Sequence, residues 1–380
     1  MHNKLNFYER AALLGHDADQ LRAGKTVTTP VMVASLDELT KFIEALGTSN
    51  PDDAGAVGED LGARVREHVL GGRKLSHAEQ ARIAHLFPMQ LQAVSASEFS
   101  LNYEYKVPIS QTPAPFNYGK LTFENGGNYL VQNTPFLLTA DHVVVSGTTP
   151  DKSHFNLLGL DAKQGDDGKK GPDGGKGGDG SGGSCSSSGT DAEKGDDGKT
   201  GKNGDHGDVA GPTLDATITI SQSLSGSSPL TVFTRSGNGG KGGRGGDGGA
   251  GGNGGKGGDG KTCGCGGTSG GKGGKAGNGG DGGNGGDGSD AVDALGTITL
   301  VLPKGTPKTA YATSSAQAVN GTAGDRGAPG KQGDPGGGGS AGKTAGSGGK
   351  GGEGTPGNYG DRGKNATGTG GKPAEFRIRN

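Results

Sequence analysis

Two stretches of the chain match the GxxxxGK[ST] pattern of a phosphate-binding loop, at 255–262 and 337–344. Such a loop works only where a β-strand precedes it and an apolar helix follows it, because these elements aim the backbone N–H groups at the phosphates. Here both matches are surrounded by further glycine and polar residues. We therefore expect neither a nucleotide site nor any bound cofactor.

The three cysteines, Cys185, Cys263 and Cys265, all interrupt glycine-rich stretches. Their number and spacing do not fit a structural zinc site. If the surrounding segments lie side by side, Cys185 is within reach of either Cys263 or Cys265. A disulfide to one of them is then the expected chemistry, and it implies an oxidising final location.

Residues for catalysis are not grouped in any recognisable pattern. The chain has no HExxH motif, and His77 and His85 lie eight residues apart on a predicted helix, where surface or packing roles are expected. No Ser/His/Asp arrangement and no pair of carboxylates can be singled out. We therefore predict that the protein is not an enzyme and holds no metal.

Composition narrows the function classes further. The chain has 86 glycines in 380 residues, and nearly all of those in regular triplets fall within 165–371. A net charge of −2 provides no basic field for nucleic acid. The residues after Met1 form no cleavable apolar segment, and no stretch is long enough to span a bilayer. We expect no nucleic-acid partner, no signal peptide and no membrane insertion.

The first 160 residues have an ordinary composition and divide in two. Residues 1–95 contain helical patterns, two of which begin with capping boxes at Ser35–Glu38 and Ser76–Glu79. From about 96 the apolar residues alternate, which is typical of β-strands. We predict a helical N-terminal domain at 1–95, to which the resemblance described below assigns attachment, and a compact β-rich domain at 96–160.

Residues 161–380 form the third predicted domain, a threefold repeat. Each repeat has a glycine run, an irregular tip and a returning glycine run, and β-like segments lie between repeats. The period is about 75–80 residues, which indicates a modular array. The predicted hairpins are 165–211, 237–288 and 321–371.

Three interpretations of the glycine runs compete. A flexible linker has no strict phase, and a collagen triple helix needs more proline and longer runs. The third, which we favour, is a bundle of about six left-handed polyglycine-II helices, arranged as three hairpins and punctuated by pairs of β-strands. Triplets of the GGX kind dominate the second hairpin, which predicts that it lies between the other two. The predicted fold class is thus multidomain, with a small helical segment, a β unit and this bundle.

Glycine-rich motifs that alternate with irregular segments, behind an N-terminal domain without them, resemble the tail-fibre-tip adhesins of T-even-like phages of the S16 type. The resemblance covers about 155–380. It implies that tip loops bind a receptor on the bacterial surface and that residues 1–150 dock on the fibre. A weaker likeness, to the snow flea antifreeze protein, is opposed by the many Lys and Asp residues, since ice binding favours small and weakly polar side chains.

The expected function is therefore that of a non-enzymatic, receptor-binding adhesin, located outside the cell or at the tip of a virion tail fibre. Its expected partners are a cell-surface receptor, either protein or glycan, and a fibre or assembly protein that binds residues 1–150. A structural or secreted glycine-rich module, such as a component of an extracellular assembly, a toxin or a matrix, is the alternative. The predicted receptor-binding residues are Ser184, Cys185, Ser186, Ser187, Thr190, Asp191, Lys261, Thr262, Cys263, Cys265, Thr268, Ser340, Lys343 and Thr344.

Overall fold

The computed structural model describes residues 5–46, 65, 75–76, 79–80, 83–149 and 152–380. Three α-helices have defined bounds in these parts: α1 (Phe7–Leu13), α2 (Ala18–Arg22) and α3 (Leu36–Ala45). The capping box predicted at Ser76 and Glu79 is confirmed by two reciprocal hydrogen bonds, of 2.8 and 3.3 Å. Helix α3 begins after Ser35, whose hydroxyl accepts the N–H of Glu38 at 3.2 Å. His77 and the side chain of His85 lie outside the described residues.

Most of the regular structure is β-sheet. A seven-stranded sheet has the strand order β1-β2-β4-β6-β8-β12-β14, and a five-stranded sheet has the order β13-β9-β7-β5-β3. The strands of the larger sheet are β1 (Val27–Val33), β2 (Met89–Leu101), β4 (Ala114–Phe123), β6 (Phe136–Val145), β8 (Ala216–Gly226), β12 (Thr297–Val301) and β14 (Glu375–Arg379). Those of the smaller sheet are β3 (Glu104–Lys106), β5 (Asn128–Gln132), β7 (Phe155–Leu158), β9 (Leu230–Arg235) and β13 (Tyr311–Ser315).

From β2 onward the chain alternates between the two sheets, and every pair of neighbouring strands is parallel except the short pair β10 (Thr262–Cys263) and β11 (Gly266–Gly267) in a tip. The result is a coil in which each turn adds one strand to each sheet. Only β1 runs antiparallel to its neighbour in the larger sheet. The coil therefore grows in one direction along the sequence.

The hydrophobic core lies between the two sheets and is richest in aromatic rings. Phe116 and Phe136 of the larger sheet contact Tyr129 and Phe155 of the smaller one, with ring centroids 5.7 to 6.1 Å apart. Farther along the coil the same core continues with Ile218, Leu230 and Ile298, all fully buried. One core thus extends from the aromatic β unit into the glycine-rich half.

The N-terminal helices pack on the outer face of the larger sheet. Leu14 and Leu46 are buried against Ala93 of β2. The guanidinium of Arg10, only 2% exposed, donates to the carboxylate of Asp141 at 2.8 Å and to the amide oxygen of Asn117 at 2.9 Å. Removing one partner of such a buried ion pair strongly destabilises a protein, because the remaining charge is buried with neither water nor a counter-ion to stabilise it. It fixes α1 to strands β4 and β6.

The predicted fold class is wrong. The molecule is a protein of two main β-sheets with three short α-helices, and no polyglycine-II helix bundle is evident in the part of the chain that the structure describes. The segments between the hairpins do not pair with each other: β8 and β9 belong to different sheets, and β8, β12 and β14 continue the sheet of β2, β4 and β6. The physical reason is that these segments, rich in Ile, Leu, Val and Thr, bury more apolar surface on the existing sheets than in local pairs.

The glycine hairpins are long insertions into this coil. All three leave the smaller sheet and return to the larger one, between β7 and β8, between β9 and β12, and between β13 and β14. They contain six extended runs without helix or strand, which we number in chain order: run 1 (165–183), run 2 (189–208), run 3 (239–260), run 4 (268–289), run 5 (321–342) and run 6 (348–366). Successive coil turns therefore place successive hairpins side by side.

Backbone hydrogen bonds join the runs at every third residue. In one layer Gly168 of run 1 donates to Arg244 of run 3 at 2.7 Å, and Gly248 of run 3 donates to Ala328 of run 5 at 2.8 Å. Runs 2, 4 and 6 form a second layer in the same way. Bonds such as Gly277 to Gly252, at 2.8 Å, join the layers. The second hairpin lies between the other two, the position that its glycine content predicts.

Candidate functional site

The three tips lie together at one end of the hairpins. A disulfide joins Cys185 of the first tip to Cys263 of the second, with their Cα atoms 5.6 Å apart. Beside it the hydroxyl of Thr268 donates to the carbonyl of Ser184 at 3.1 Å. The first and second tips are therefore linked both covalently and by a hydrogen bond, although 78 residues separate the two cysteines.

The second tip is joined to the third by hydrogen bonds that backbone N–H groups of the third tip donate. The N–H of Lys343 donates to the hydroxyl of Thr262 at 3.1 Å, and the N–H of Gly342 donates to the carbonyl of Thr268 at 2.9 Å. All three tips thus form a continuous surface. We call residues 184–191, 261–269 and 340–345 the tip surface.

Part of the predicted receptor-binding set is engaged in holding this surface together. The hydroxyls of Thr190 and Thr268 accept the N–H groups of Ser181 and Lys261, at 2.7 and 2.9 Å. The carboxylate of Asp191 accepts the N–H of Lys272 at 2.6 Å. These side chains hold the tips in shape. Because their oxygen atoms already accept hydrogen bonds within the protein, fewer of their polar groups are left to contact a partner.

Cys185, Cys263 and Thr262 also join tips to each other, and most of the other predicted residues are exposed to solvent. Ser186, Lys261, Ser340, Lys343 and Thr344 are exposed. Ser184 and Ser187 are exposed too, and their hydroxyls lie 2.8 Å apart. The tip surface therefore offers hydroxyl groups and two ammonium groups, and none of its residues is aromatic.

Cys265 is the third cysteine, and it is a free, exposed thiol. It follows Gly264, whose φ of +57° lies in the left-handed region that favours glycine. Gly264 and Gly266 meet no neighbouring atom within 4 Å of the position a Cβ would take. Sequence reasoning left both Cys263 and Cys265 open as partners for Cys185, and the fold selects Cys263.

The two phosphate-loop matches lie within the glycine runs and have no free cradle of N–H groups. Gly257 donates to the carbonyl of Gly337 at 2.9 Å, and Gly260 donates to that of Ser340 at 2.7 Å. In the other match Gly339 and Gly342 donate to Gly271 and Thr268, at 2.8 and 2.9 Å. Because these donors are already paired with neighbouring runs, they are not aimed at an anion.

Carboxylates along the runs have a role that the sequence analysis missed. The Asp or Asn side chain of one run accepts the N–H of a residue in the next run of the same layer, as Asp173 does from Ala250 and Asp247 from Ala328, at 2.7 and 2.9 Å. Asn253 and Asn278 do the same with Asp334 and Thr355. The signal was present, since Asp and Asn recur after the glycines at the third position of the triplet.

These hydrogen bonds stabilise the ionised carboxylates. The ammonium of Lys170, and after it the N–H of Ala250, hold the pKa of Asp173 below its ordinary value. The N–H of Ala328, and after it the guanidinium of Arg244, do the same for the pKa of Asp247. The Asp and Asn side chains that the sequence suggests are simply solvated therefore form a ladder of hydrogen bonds between neighbouring runs. We call it the carboxylate ladder.

An open groove of about 500 Å³ lies at the base of the hairpins, where the runs meet the sheets. Its two acidic side chains are already used by the fold. Asp290 accepts the N–H of Gly368 at 2.9 Å, and Asp293 accepts that of Lys372 at 2.7 Å. The groove therefore has the character of a structural junction.

The described residues show neither a cluster of metal ligands nor a membrane-spanning helix. Among the residues that the structure describes, no three His, Cys, Asp or Glu side chains are grouped as metal ligands. Within the same residues no helix is both long and apolar enough to cross a bilayer.

His154 is buried, and that burial lowers its pKa, while its Nδ1 lies 2.8 Å from the hydroxyl of Thr231. It belongs to the core between the sheets.

Comparison with known proteins finds no matching family model, no matching curated protein and no matching solved structure.

Proposed function

We propose that this protein is a non-enzymatic adhesin that presents the tip surface to a receptor on a cell. The observation that carries the proposal is the linkage of three tips, far apart in sequence, into one exposed surface by a disulfide and hydrogen bonds. Loops held by a rigid scaffold are the usual place for binding residues. The glycine runs supply that scaffold.

The chemistry of the tip surface indicates a polar receptor. The exposed hydroxyls of Ser186 and Ser187 can donate and accept hydrogen bonds, and Lys261 and Lys343 can bind anionic groups. The hydroxyl of Thr344 donates to the carbonyl of Lys343 and can still accept a hydrogen bond. Either a glycan or a polar protein surface suits such groups. The tips contain none of the aromatic anchors that dominate apolar protein interfaces.

The proposal extends to the location and attachment of the protein. The likeness to tail-fibre-tip adhesins supports a place outside the cell or on a virion, with residues 1–150 docked on a fibre or assembly protein. The described N-terminal helices lie on the outer face of the larger sheet, and we assign the contact with such a partner to this layer. A disulfide between tips suits an oxidising environment.

A charge reversal at the tips tests the proposal. The double variant Lys261→Glu and Lys343→Glu is compared with a control, Lys331→Glu and Lys350→Glu, which reverses two exposed charges on the runs. Both double variants change the net charge of the protein by the same amount. Each labelled protein is applied to a panel of bacterial cells that the wild type binds. We expect at least about a tenfold weaker affinity for the tip variant only, equal to about 1.4 kcal/mol.

Two results would contradict the proposal. Equal binding by the tip variant and the wild type would remove the tips from the contact. A wild-type protein that binds no cell in a broad panel would favour the structural or secreted module instead.

A further inference from the structure

Aromatic and arginine residues are concentrated at one place on the glycine runs. Within 161–371 the chain has three aromatic residues, Phe233 in β9, Tyr311 in β13 and Tyr359. Tyr359 is therefore the one aromatic residue in the glycine runs, and it lies in run 6. Two of the three arginines in the runs, Arg326 and Arg362, lie beside it, whereas Lys is the usual cation elsewhere. Tyr and Arg are the residues most enriched in binding surfaces.

The side chains at this place are arranged around an exposed ring. Tyr359 is 61% exposed, and the guanidinium carbon of Arg326 lies 4.4 Å from its ring centroid. Arg362 Nε lies 3.5 Å from Asp325 Oδ1. We call Asp325, Arg326, Tyr359 and Arg362 the edge patch. It combines an aromatic face with hydrogen-bonding groups of both charges.

The backbone beneath the edge patch is fixed. The N–H of Asn358 donates to the carboxylate of Asp281 at 2.6 Å, and the N–H of Gly360 donates to the carbonyl of Gly327 at 3.3 Å. Tyrosine has only two side-chain torsions, so a ring on such a backbone loses little entropy when a ligand binds. The patch is thus already organised before binding.

Proline residues interrupt further backbone pairing at this edge. Runs 5 and 6 end the two layers, and Pro329, Pro335 and Pro356 lie a multiple of three residues from Arg326 or Tyr359, in the same phase of the triplet. Proline has no N–H to offer to another run. A second copy of the chain therefore cannot continue the regular hydrogen-bonded layers past these positions.

We propose that the edge patch is a carbohydrate-binding site in which a sugar ring stacks on the free face of Tyr359. The apolar C–H face of a sugar fits one aromatic ring, while carboxylate and guanidinium groups such as Asp325 and Arg362 bind its hydroxyls. A protein partner fits less well. A stable protein interface buries about 800 Å² on each side and excludes charge from its centre, whereas the surroundings of Tyr359 are charged.

This site is separate from the tip surface. Tyr359 lies eleven residues from Gly348, where run 6 leaves the third tip. The proposal holds whether or not the tips bind a receptor. If both proposals hold, the protein contacts a surface through its tips and a glycan along its edge.

Tryptophan fluorescence offers a direct test, because the chain contains no Trp. Wild-type protein is screened on an array of microbial and host glycans, and each glycan that binds is titrated into Tyr359→Trp. A saturable change in emission is expected from this variant and none from Val319→Trp, whose side chain is also well exposed, at 67%, but lies at the base of the hairpins. Tyr359→Phe should bind as the wild type does, and Tyr359→Ala at least about tenfold more weakly.

Three results would overturn the proposal. They are a wild type that binds no glycan on the array, equal binding by Tyr359→Ala, and an emission change in the Val319→Trp control alone. Loss of glycan binding in the tip variant Lys261→Glu and Lys343→Glu, with binding kept in Tyr359→Ala, would assign the glycan to the tips. That outcome would reject the edge patch and leave the proposed adhesin function standing.

Discussion

Asp247 illustrates what single charged residues do in the glycine runs. Its carboxylate accepts the N–H of Ala328 in the neighbouring run at 2.9 Å and lies 2.6 Å from the guanidinium of Arg244 in its own run. Ion pairs on a surface contribute little by themselves, since both side chains remain in water. The bond to Ala328 is more consequential, because it satisfies a backbone donor that no carbonyl reaches.

The carboxylate ladder predicts acid sensitivity. The pKa values of Asp173, Asp247 and Asp259 are lowered from 3.8 in the folded protein by the hydrogen bonds that they accept. The stability they add is fully present above that value and is lost as pH falls through the lower, folded pKa. We expect the thermal midpoint to decrease between pH 5 and pH 2, as followed by circular dichroism.

Replacing these three aspartates by asparagine gives the matched control. The amide oxygen can still accept the N–H, as Asn253 and Asn278 do, but it does not titrate in this range. The triple variant should melt near the wild-type temperature at pH 6 and lose less stability on acidification. An identical acid dependence in both proteins would assign the effect to other groups.

The disulfide allows a second prediction for single residues. Cys185→Ser should leave the sheets intact and loosen the junction between the first two tips, because the covalent link is lost. The hydrogen bonds from Thr268 to Ser184 and from Gly189 to Ser269 then remain. Faster amide hydrogen exchange is expected at 184–190 and 261–268, with unchanged exchange in strands β4 and β6. Cys265→Ser, which alters only the free thiol, is the control. Equal exchange in the two variants would show that the disulfide does not order the tips.

Among the structural elements, the glycine runs depend on close backbone contact. A Cβ on Gly348 would overlap the carbonyl oxygen of Gly271, whereas the same atom on the adjacent Gly349 would meet nothing within 4 Å. The two residues lie in one run and differ only in the direction they face. Glycine is therefore required at one position and replaceable at the next.

This contrast predicts different costs for two neighbouring substitutions. Gly348→Ala should destabilise the protein by about 1–3 kcal/mol, because the runs must move apart to relieve the overlap. Gly349→Ala should change the free energy of unfolding by less than about 0.5 kcal/mol, as exposed substitutions usually do. Denaturant unfolding followed by circular dichroism measures both values. Similar costs for the two variants would contradict the close packing of run 6 against run 4.

Local sequence patterns were sufficient for several elements and insufficient for others. The reciprocal bonds of Ser76 and Glu79 and the start of α3 after Ser35 follow from residues three positions apart. The pairing of Ala216 with Ile298, by contrast, joins residues 82 positions apart. No local sequence pattern shows that β8 pairs with β12 rather than with β9. The predicted fold class was therefore wrong, although the predicted hairpins correspond to the pairs of glycine runs.

At the scale of the whole molecule, the coil of strands arranges the hairpins. After β7, each turn of the coil contains one glycine hairpin. Because neighbouring strands of a sheet lie about 4.8 Å apart, three consecutive turns place their hairpins side by side. The glycine N–H groups of runs 1 and 2 then find acceptors in runs 3 and 4. The first and third hairpins contact the second and depend on it.

Removing one hairpin at a time tests this dependence. Replacing 237–288 with a short Gly-Ser linker should strip the acceptors from runs 1 and 2 and make their glycine amides exchange rapidly. Replacing 321–371 in the same way should leave those amides protected, because runs 3 and 4 remain. Hydrogen exchange of 165–208 in the two variants gives the comparison. Protection of these amides after loss of the second hairpin would show that the first hairpin is ordered without it.

The sequence by itself determined the period of the glycine runs, their three hairpins, the position of all three cysteines in tips and the central place of the second hairpin. These properties depend on residue types at fixed short spacings. Only the tertiary structure decided that one coil of strands continues through the repeats, that Cys185 pairs with Cys263, and that Tyr359 and Arg326 meet at an edge. The reason is that such contacts arise from the register between distant segments, and that register is set by the burial of strands on a shared core.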